Sequence, residues 1–179
     1  MITKYTSGNP IRTDAVVKEF EFNSISKFPG DYEIADGKFT FGFDMQDSDI
    51  VFGLGEAPRG INKRGWVYES FCSDDPFHTE TKSSLYAAHN FLMLSGSKTV
   101  GIFIDFPAKI RWDIGYTSPS CTDITIYGTD FDIYIIKCES NKPIDIVKEF
   151  RAAIGQSYIP PFWAFGYQQS RWSRSEERR

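Results

Sequence analysis

A chain of 179 residues that is 41% hydrophobic and 16% aromatic carries enough apolar side chain for one well-buried core. That excludes intrinsic disorder and fits a single domain, or one domain with a short extension. A formal net charge of -4, with no run of Lys and Arg interleaved with aromatics, excludes a nucleic-acid-binding footprint.

The opening stretch MITKYTSGNPIRTD has no apolar core of the roughly 7 to 15 residues that a secretory signal requires. No later run approaches the roughly 20 apolar residues needed to span a bilayer. A soluble, cytoplasmic protein is expected. Strand patterns then dominate: KFTFGF (38–43), DIVFGL (49–54), WVYESF (66–71), HNFLML (89–94), TVGIFID (99–105), KIRWDI (109–114), DITIYG (123–128) and FDIYIIK (131–137). These are short runs rich in β-branched and aromatic residues, separated by Gly, Pro, Asp and Ser, and they predict a mainly β, antiparallel sandwich.

One helix is expected, in NKPIDIVKEFRAAIG. Pro143 suits its first position, Ile144, Val147, Phe150 and Ile154 recur at spacings of three and four, and Gly155 suits its end. This helix is expected to close the sandwich. QSYIPP then reads as a linker, because paired prolines hold the chain extended, and a new element begins at Phe162.

Cys72, Cys121 and Cys138 are an odd number without CxxC spacing, so neither a disulfide framework nor a zinc site is expected, and buried reduced thiols are the plain reading. His78 and His89 lack metal-ligand spacing, and no metal is expected. His89 opens an apolar strand and reads as structural. Glu56 and Arg59 lie in the Gly-rich turn GLGEAPRG, where an internal ion pair or an anchor to the backbone is expected. A phosphate cradle there would want a following helix.

The segment FCSDDPFHTETKSS (71–84) is a polar loop longer than a hairpin needs, and such loops are usually functional. Adjacent residues of an extended segment project to opposite sides, so Asp74 and Asp75 are not expected to act as a pair of catalytic acids facing one substrate. Asp-Pro is also a common turn opening. His78 and Thr79 are weaker candidates.

Several motifs together resemble one family. The helix, Pro160-Pro161 and the run WAFGYQQSRW (163–172) resemble the junction into the catalytic barrel of glycoside hydrolase family 31, the α-glucosidase family. VFGLGEAPRGINKRG (51–65) resembles the Gly-Leu-Gly-Glu turn of that family's N-terminal β-sandwich. SLYAAHNFLML (84–94) resembles its Leu-Tyr-Gly motif, with Ala87 where Gly is common. GINKRG, DDPFHTE and DIGYTS further resemble bacterial, gut Firmicutes members.

The resemblance implies a galactose mutarotase-like sandwich over 1–155, a Pro-rich linker over 156–161, and over 162–179 the first strand of a truncated (β/α)8 barrel. A full barrel takes roughly 250 residues, so both catalytic aspartates of the family are expected to be missing and the chain to be inactive alone. By position the resemblance gives Asp74, with Asp75 as the near alternative, the role of gripping the terminal glucose. A carboxylate accepts vicinal hydroxyls with charge-assisted strength.

Ser170, Arg171 and Trp172 would reach the active-site face of the barrel, Trp172 as a pocket wall and Arg171 as an orienter of carboxylates. The family pattern breaks at about Arg174, since SRSEERR has no apolar stripe with which to pack a helix. The implied function is part of a retaining α-glucosidase that hydrolyses terminal α-linked glucose from short oligosaccharides without a cofactor. Two alternatives stand beside it: a carbohydrate-binding sandwich with Trp66, Trp112 and Tyr116 as a platform, and an inactive structural remnant. An unpaired barrel strand is expected to promote self-association.

Overall fold

The computed structural model describes residues 1–16, 21–57 and 59–169. Two sheets face each other. The six-stranded sheet runs in the order β2 (Asn23–Ile25), β1 (Ile2–Ser7), β11 (Phe131–Lys137), β8 (Val100–Asp105), β7 (Ala88–Ser95) and β5 (Ile50–Gly55). The five-stranded sheet runs β3 (Tyr32–Ala35), β4 (Lys38–Asp44), β10 (Cys121–Ile126), β9 (Ile110–Ile114) and β6 (Trp66–Ser70). Every pairing is antiparallel except β1 with β2, which is parallel.

All eight strands expected of the sandwich form, with ends moved by a residue or two. Three further strands escape the pattern. β2 is only three residues long, β3 is exposed along its whole length, and β1 interrupts its apolar residues with Lys4 and three hydroxyl side chains.

The main core lies between the sheets. Phe39 and Phe41 of β4, Ile110, Trp112 and Ile114 of β9, and Ile124 and Ile126 of β10 alternate inward against Val51, Leu92, Leu94, Ile102, Ile104, Phe131 and Ile133. Trp112 is fully buried and its indole N–H donates to Ser70 Oγ at 2.9 Å, so it cannot belong to an exposed aromatic platform. A second core covers the outer face of the six-stranded sheet, where Met93, Phe103, Tyr134 and Ile136 meet the helix α1 (Pro143–Ile154). The central strands are therefore buried on both faces, which is why FLML, GIFI and IYII read as continuous apolar runs rather than as alternation.

Pro143 does open α1, and Gly155 ends it with a positive φ of 88°. The buried stripe is Ile146, Phe150 and Ala153, with Val147 and Ile154 partly covered, whereas Ile144 is 56% exposed. The expected stripe was thus rotated by part of a turn. The cause is a close approach: Ile146 sits over Gly101 of β8, where an added Cβ would lie 2.6 Å from the Ile146 Cγ2 atom. Phe150 stacks on Phe91 with ring centroids 4.1 Å apart. The helix thus closes the sandwich by covering the outer face of its six-stranded sheet.

Residues 156–161 are irregular, and Phe162–Phe165 forms one 3-10 turn where a strand was expected. A strand needs a partner for its backbone groups, and none of the described strands pairs with this segment. Tyr158, Ile159, Phe162, Trp163, Phe165 and Tyr167 are all exposed, the least of them, Phe165, at 71%. The three thiols are free. They are not buried as expected: Cys72 is exposed and the other two half-buried. No helix among the described residues is long and apolar enough to cross a membrane.

Candidate functional site

Two connections cross from one sheet to the other at the same edge of the sandwich. Residues 56–65 link β5 to β6, and residues 71–87 return from β6 to β7. β5 is distorted before the first crossing: Gly53 takes φ 117°, its pairing with β7 shifts register there, and a Cβ on it would lie 2.1 Å from the Phe91 carbonyl oxygen. Only glycine fits.

The base of the 71–87 loop is zipped along β6. The Glu69 amide donates to the Ser83 carbonyl at 2.8 Å, Ser84 Oγ donates to the Phe71 carbonyl, and the Ser73 amide donates to the Leu85 carbonyl at 3.0 Å. Leu85 is buried beneath it. Glu56 locks the other side, its amide donating to the Ala87 carbonyl at 2.9 Å and its Oε2 accepting from the Ala87 amide at 3.2 Å.

Arg59 completes the brace. It donates from Nε to the Glu80 carbonyl at 2.6 Å and from Nη1 to the Val67 carbonyl at 3.0 Å, with its guanidinium 4.1 Å from the Trp66 ring centroid. Of the two roles expected for Glu56 and Arg59, backbone anchoring is the one the structure shows. Both hold the loop, and they do not pair with each other.

The loop tip separates the adjacent carboxylates by role. Asp75 accepts the Phe77 amide at 2.9 Å through Oδ1 and pairs with Lys82 through Oδ2. The hydrogen bond from Lys82, and then that from the Phe77 amide, hold the Asp75 carboxyl below the ordinary range. Asp74 is exposed, beside the Tyr86 phenol. Desolvation, followed by the negative field of Asp74 and Asp75, pushes that phenol up.

His78 packs edge-on against the Tyr86 ring at 5.4 Å, and Thr79 bonds to Thr81 at 2.8 Å. The loop thus offers two exposed carboxylates, Asp74 beside the Tyr86 phenol and Glu80, together with an imidazole and the exposed Phe77 ring. Tyr86 and Lys82 were missed in the sequence. A carboxylate and an ammonium seven residues apart in one loop were the available signal. Arg171, Trp172 and Ser170 lie outside the described residues.

Elsewhere, Asp105 and Asp132 face each other across β8 and β11. Both are occupied: Thr13 Oγ1 donates to the two Asp105 oxygens at 2.6 and 2.7 Å, while Asp132 accepts from Thr6 at 2.6 Å and pairs with Lys4 at 2.8 Å. They tie residues 4–13 to the sheet. His89 remains exposed on one side and lies against the Phe150, Phe103 and Phe91 rings on the other, where partial desolvation pushes its pKa down, in keeping with a structural role.

Comparison with known proteins places this architecture. Residues 2–113 match the family description "Glycosyl hydrolase 31 N-terminal galactose mutarotase-like domain". The chain is 29% identical over 136 residues to alpha-glucosidase 2 of Bacillus thermoamyloliquefaciens, covering 74% of this chain and 17% of that protein. It is 23% identical over 122 residues to alpha-xylosidase XylQ of Lactiplantibacillus pentosus, covering 68% of this chain and 15% of that protein. Among solved structures, a family 31 dextranase of Flavobacterium johnsoniae complexed with glucose superimposes with a TM-score of 0.68 at 26% identity, over 76% of this chain and 16% of that one. The chain thus spans about a sixth of the length of each of these three proteins. It belongs to glycoside hydrolase family 31, of which it carries the N-terminal galactose mutarotase-like β-sandwich.

Proposed function

We propose that this chain supplies a substrate-pocket loop to a retaining α-glucosidase that removes terminal α-linked glucose from short oligosaccharides. Asp74 is the residue that grips the sugar, and the chain is inactive by itself. The observation that carries this reading is the division of labour at the loop tip, where Asp75 is engaged by Lys82 and the Phe77 amide while Asp74 is left exposed. An ionised carboxylate in that position accepts two neighbouring hydroxyls, each bond being charge-assisted.

Hydrolysis with retention needs a nucleophile and an acid roughly 5 to 5.5 Å apart with the sugar between them. The facing pair Asp105 and Asp132 is held by Thr13, Thr6 and Lys4, which supports a structural duty for it. The hydrolysing groups are then supplied by a barrel, to whose pocket Arg171 and Trp172 contribute. The relatives include an alpha-glucosidase and an alpha-xylosidase, so the sandwich itself does not decide the sugar.

The test joins this chain to a family 31 barrel. Asp74→Ala is expected to lower kcat/KM for a maltose-type substrate about 10- to 100-fold, the loss of about 1.5–3 kcal/mol of charge-assisted hydrogen bonding. A kcat/KM unchanged by Asp74→Ala overturns the assignment.

A free-standing carbohydrate-binding module is less well supported, because burial of Trp112 removes one member of its platform and Arg59 covers one face of Trp66. Titration of this chain with maltose or isomaltose separates the readings. A module binds at millimolar concentration or tighter, and half a pocket does not.

A further inference from the structure

Around Tyr68 the molecule gathers positive charge that nothing balances. The Arg59 guanidinium lies 5.0 Å and the Lys63 ammonium 5.6 Å from the centroid of the Tyr68 ring. Neither cation pairs with a carboxylate among the described residues. Lys63 is only 6% exposed, and among the described residues its ammonium donates to one group, the Gly60 carbonyl at 3.1 Å. Burial, and then the charge of Arg59, push the Lys63 pKa down. A buried cation without a counter-charge is costly.

The Tyr68 hydroxyl deepens the imbalance. It is buried, and among the described residues no hydrogen bond of good geometry reaches it, while the neighbouring Arg59 guanidinium acts on it and offsets part of the rise in pKa that burial causes; a buried hydroxyl left so is a rarity that calls for a physical reason. Arg59 uses Nε and Nη1 on backbone carbonyls, so Nη2 is the group left to face the Tyr68 oxygen or a ligand. The unspent groups are therefore nearly all donors: Nη2 of Arg59, two N–H of Lys63 and the Tyr68 O–H.

A group that accepts all of them must present several oxygens and no obligatory donor, which excludes a sugar hydroxyl and favours an oxyanion. Two monocations are matched by a group carrying close to two negative charges. A phosphate monoester fits that at neutral pH, its second pKa being about 6, inorganic phosphate comes close to it, and a carboxylate does not.

We propose that Arg59, Lys63 and Tyr68 form a binding site for a phosphoryl group, that of inorganic phosphate or of a phosphorylated sugar. The Gly-rich turn lacks the following helix that a backbone cradle uses, and here side chains supply the charge instead. Because Arg59 also holds the Glu80 carbonyl, an occupant of the site bears on the 71–87 loop through a single side chain.

The test titrates the purified chain with inorganic phosphate, glucose 6-phosphate, sulfate and acetate at constant ionic strength. Heat of binding, and the fluorescence of Trp66 stacked on Arg59, provide the readouts. Saturable 1:1 binding of phosphate is expected, with glucose 6-phosphate distinguishing a free ion from a sugar-borne group and acetate giving no saturation. Lys63→Met keeps the side-chain length without the charge and is expected to weaken phosphate at least tenfold while leaving the melting midpoint unchanged or raised. Tyr68→Phe is expected to weaken it several-fold without loss of stability, and it serves should Lys63→Met fail to fold. No saturation by phosphate, equal binding of acetate, or equal phosphate affinity in wild type and Tyr68→Phe would overturn the proposal.

Discussion

Asp74 and Asp75 are neighbours with opposite fates, and the difference lies in their partners. Asp75 is bound into the loop by Lys82 and the Phe77 amide, which depress its pKa. A depressed carboxyl contributes order that is present above its ordinary pKa and lost as pH falls through the lower folded value. The protection factor of the Phe77 amide against hydrogen exchange, taken relative to the intrinsic rate at each pH, is therefore expected to fall as the pH is lowered below about 4. In Asp75→Asn it is expected to be low at every pH, and in Asp74→Asn unchanged.

Asp49 offers the same sign on a buried group. It is 2% exposed and accepts the Gln46 amide at 2.8 Å, the Ser97 amide at 2.7 Å and Ser97 Oγ at 3.1 Å, with the Gln46 bond the main cause of its lowered pKa. Asp49→Ala leaves two amides without their acceptor and is expected to cost about 2–3 kcal/mol at neutral pH. The gap from wild type should narrow as the pH falls below about 4, as read from urea unfolding midpoints.

At the scale of elements, the helix shows how far a sequence pattern reaches. The start at Pro143 and the stop at Gly155 are local chemistry and were legible. The buried stripe was not, because Ile144 and Ile146 are equally apolar and only the hollow above Gly101 selects between them. Ile146→Ala is expected to cost about 2–5 kcal/mol and Ile144→Ala under about 1, measured by thermal or urea unfolding. A larger cost for Ile144→Ala than for Ile146→Ala would mean the helix sits in the other register.

The strands divide in the same way. Those in the two cores announced themselves through dense apolar residues, whereas β1, β2 and β3 are held by neighbours rather than by their own composition. In the loop, length and polarity pointed to the right segment. The roles of its two aspartates depend on Lys82 and Tyr86, contacts that no spacing rule specifies.

For the whole molecule, motif resemblance reached the family through the Gly-Leu-Gly-Glu turn and the strands around it, and the match over residues 2–113 agrees. The C-terminal segment was less legible, since a barrel strand exists only beside other barrel strands and Phe162–Phe165 here forms a 3-10 turn. Its exposed aromatic residues motivate a prediction of self-association. Light scattering coupled to size-exclusion chromatography should show mass rising with micromolar concentration, and Phe162→Ser with Trp163→Ser should abolish the rise. A strict monomer throughout would remove that expectation.

The central claim is that this sandwich helps to hold a sugar that other residues cut. The most direct measurement is turnover of a chromogenic α-glucoside by the purified chain, alone and then joined to a family 31 barrel. The account predicts no turnover above background for the chain alone and restored hydrolysis for the joined protein. Hydrolysis at ordinary enzymatic rates by the chain alone would contradict it.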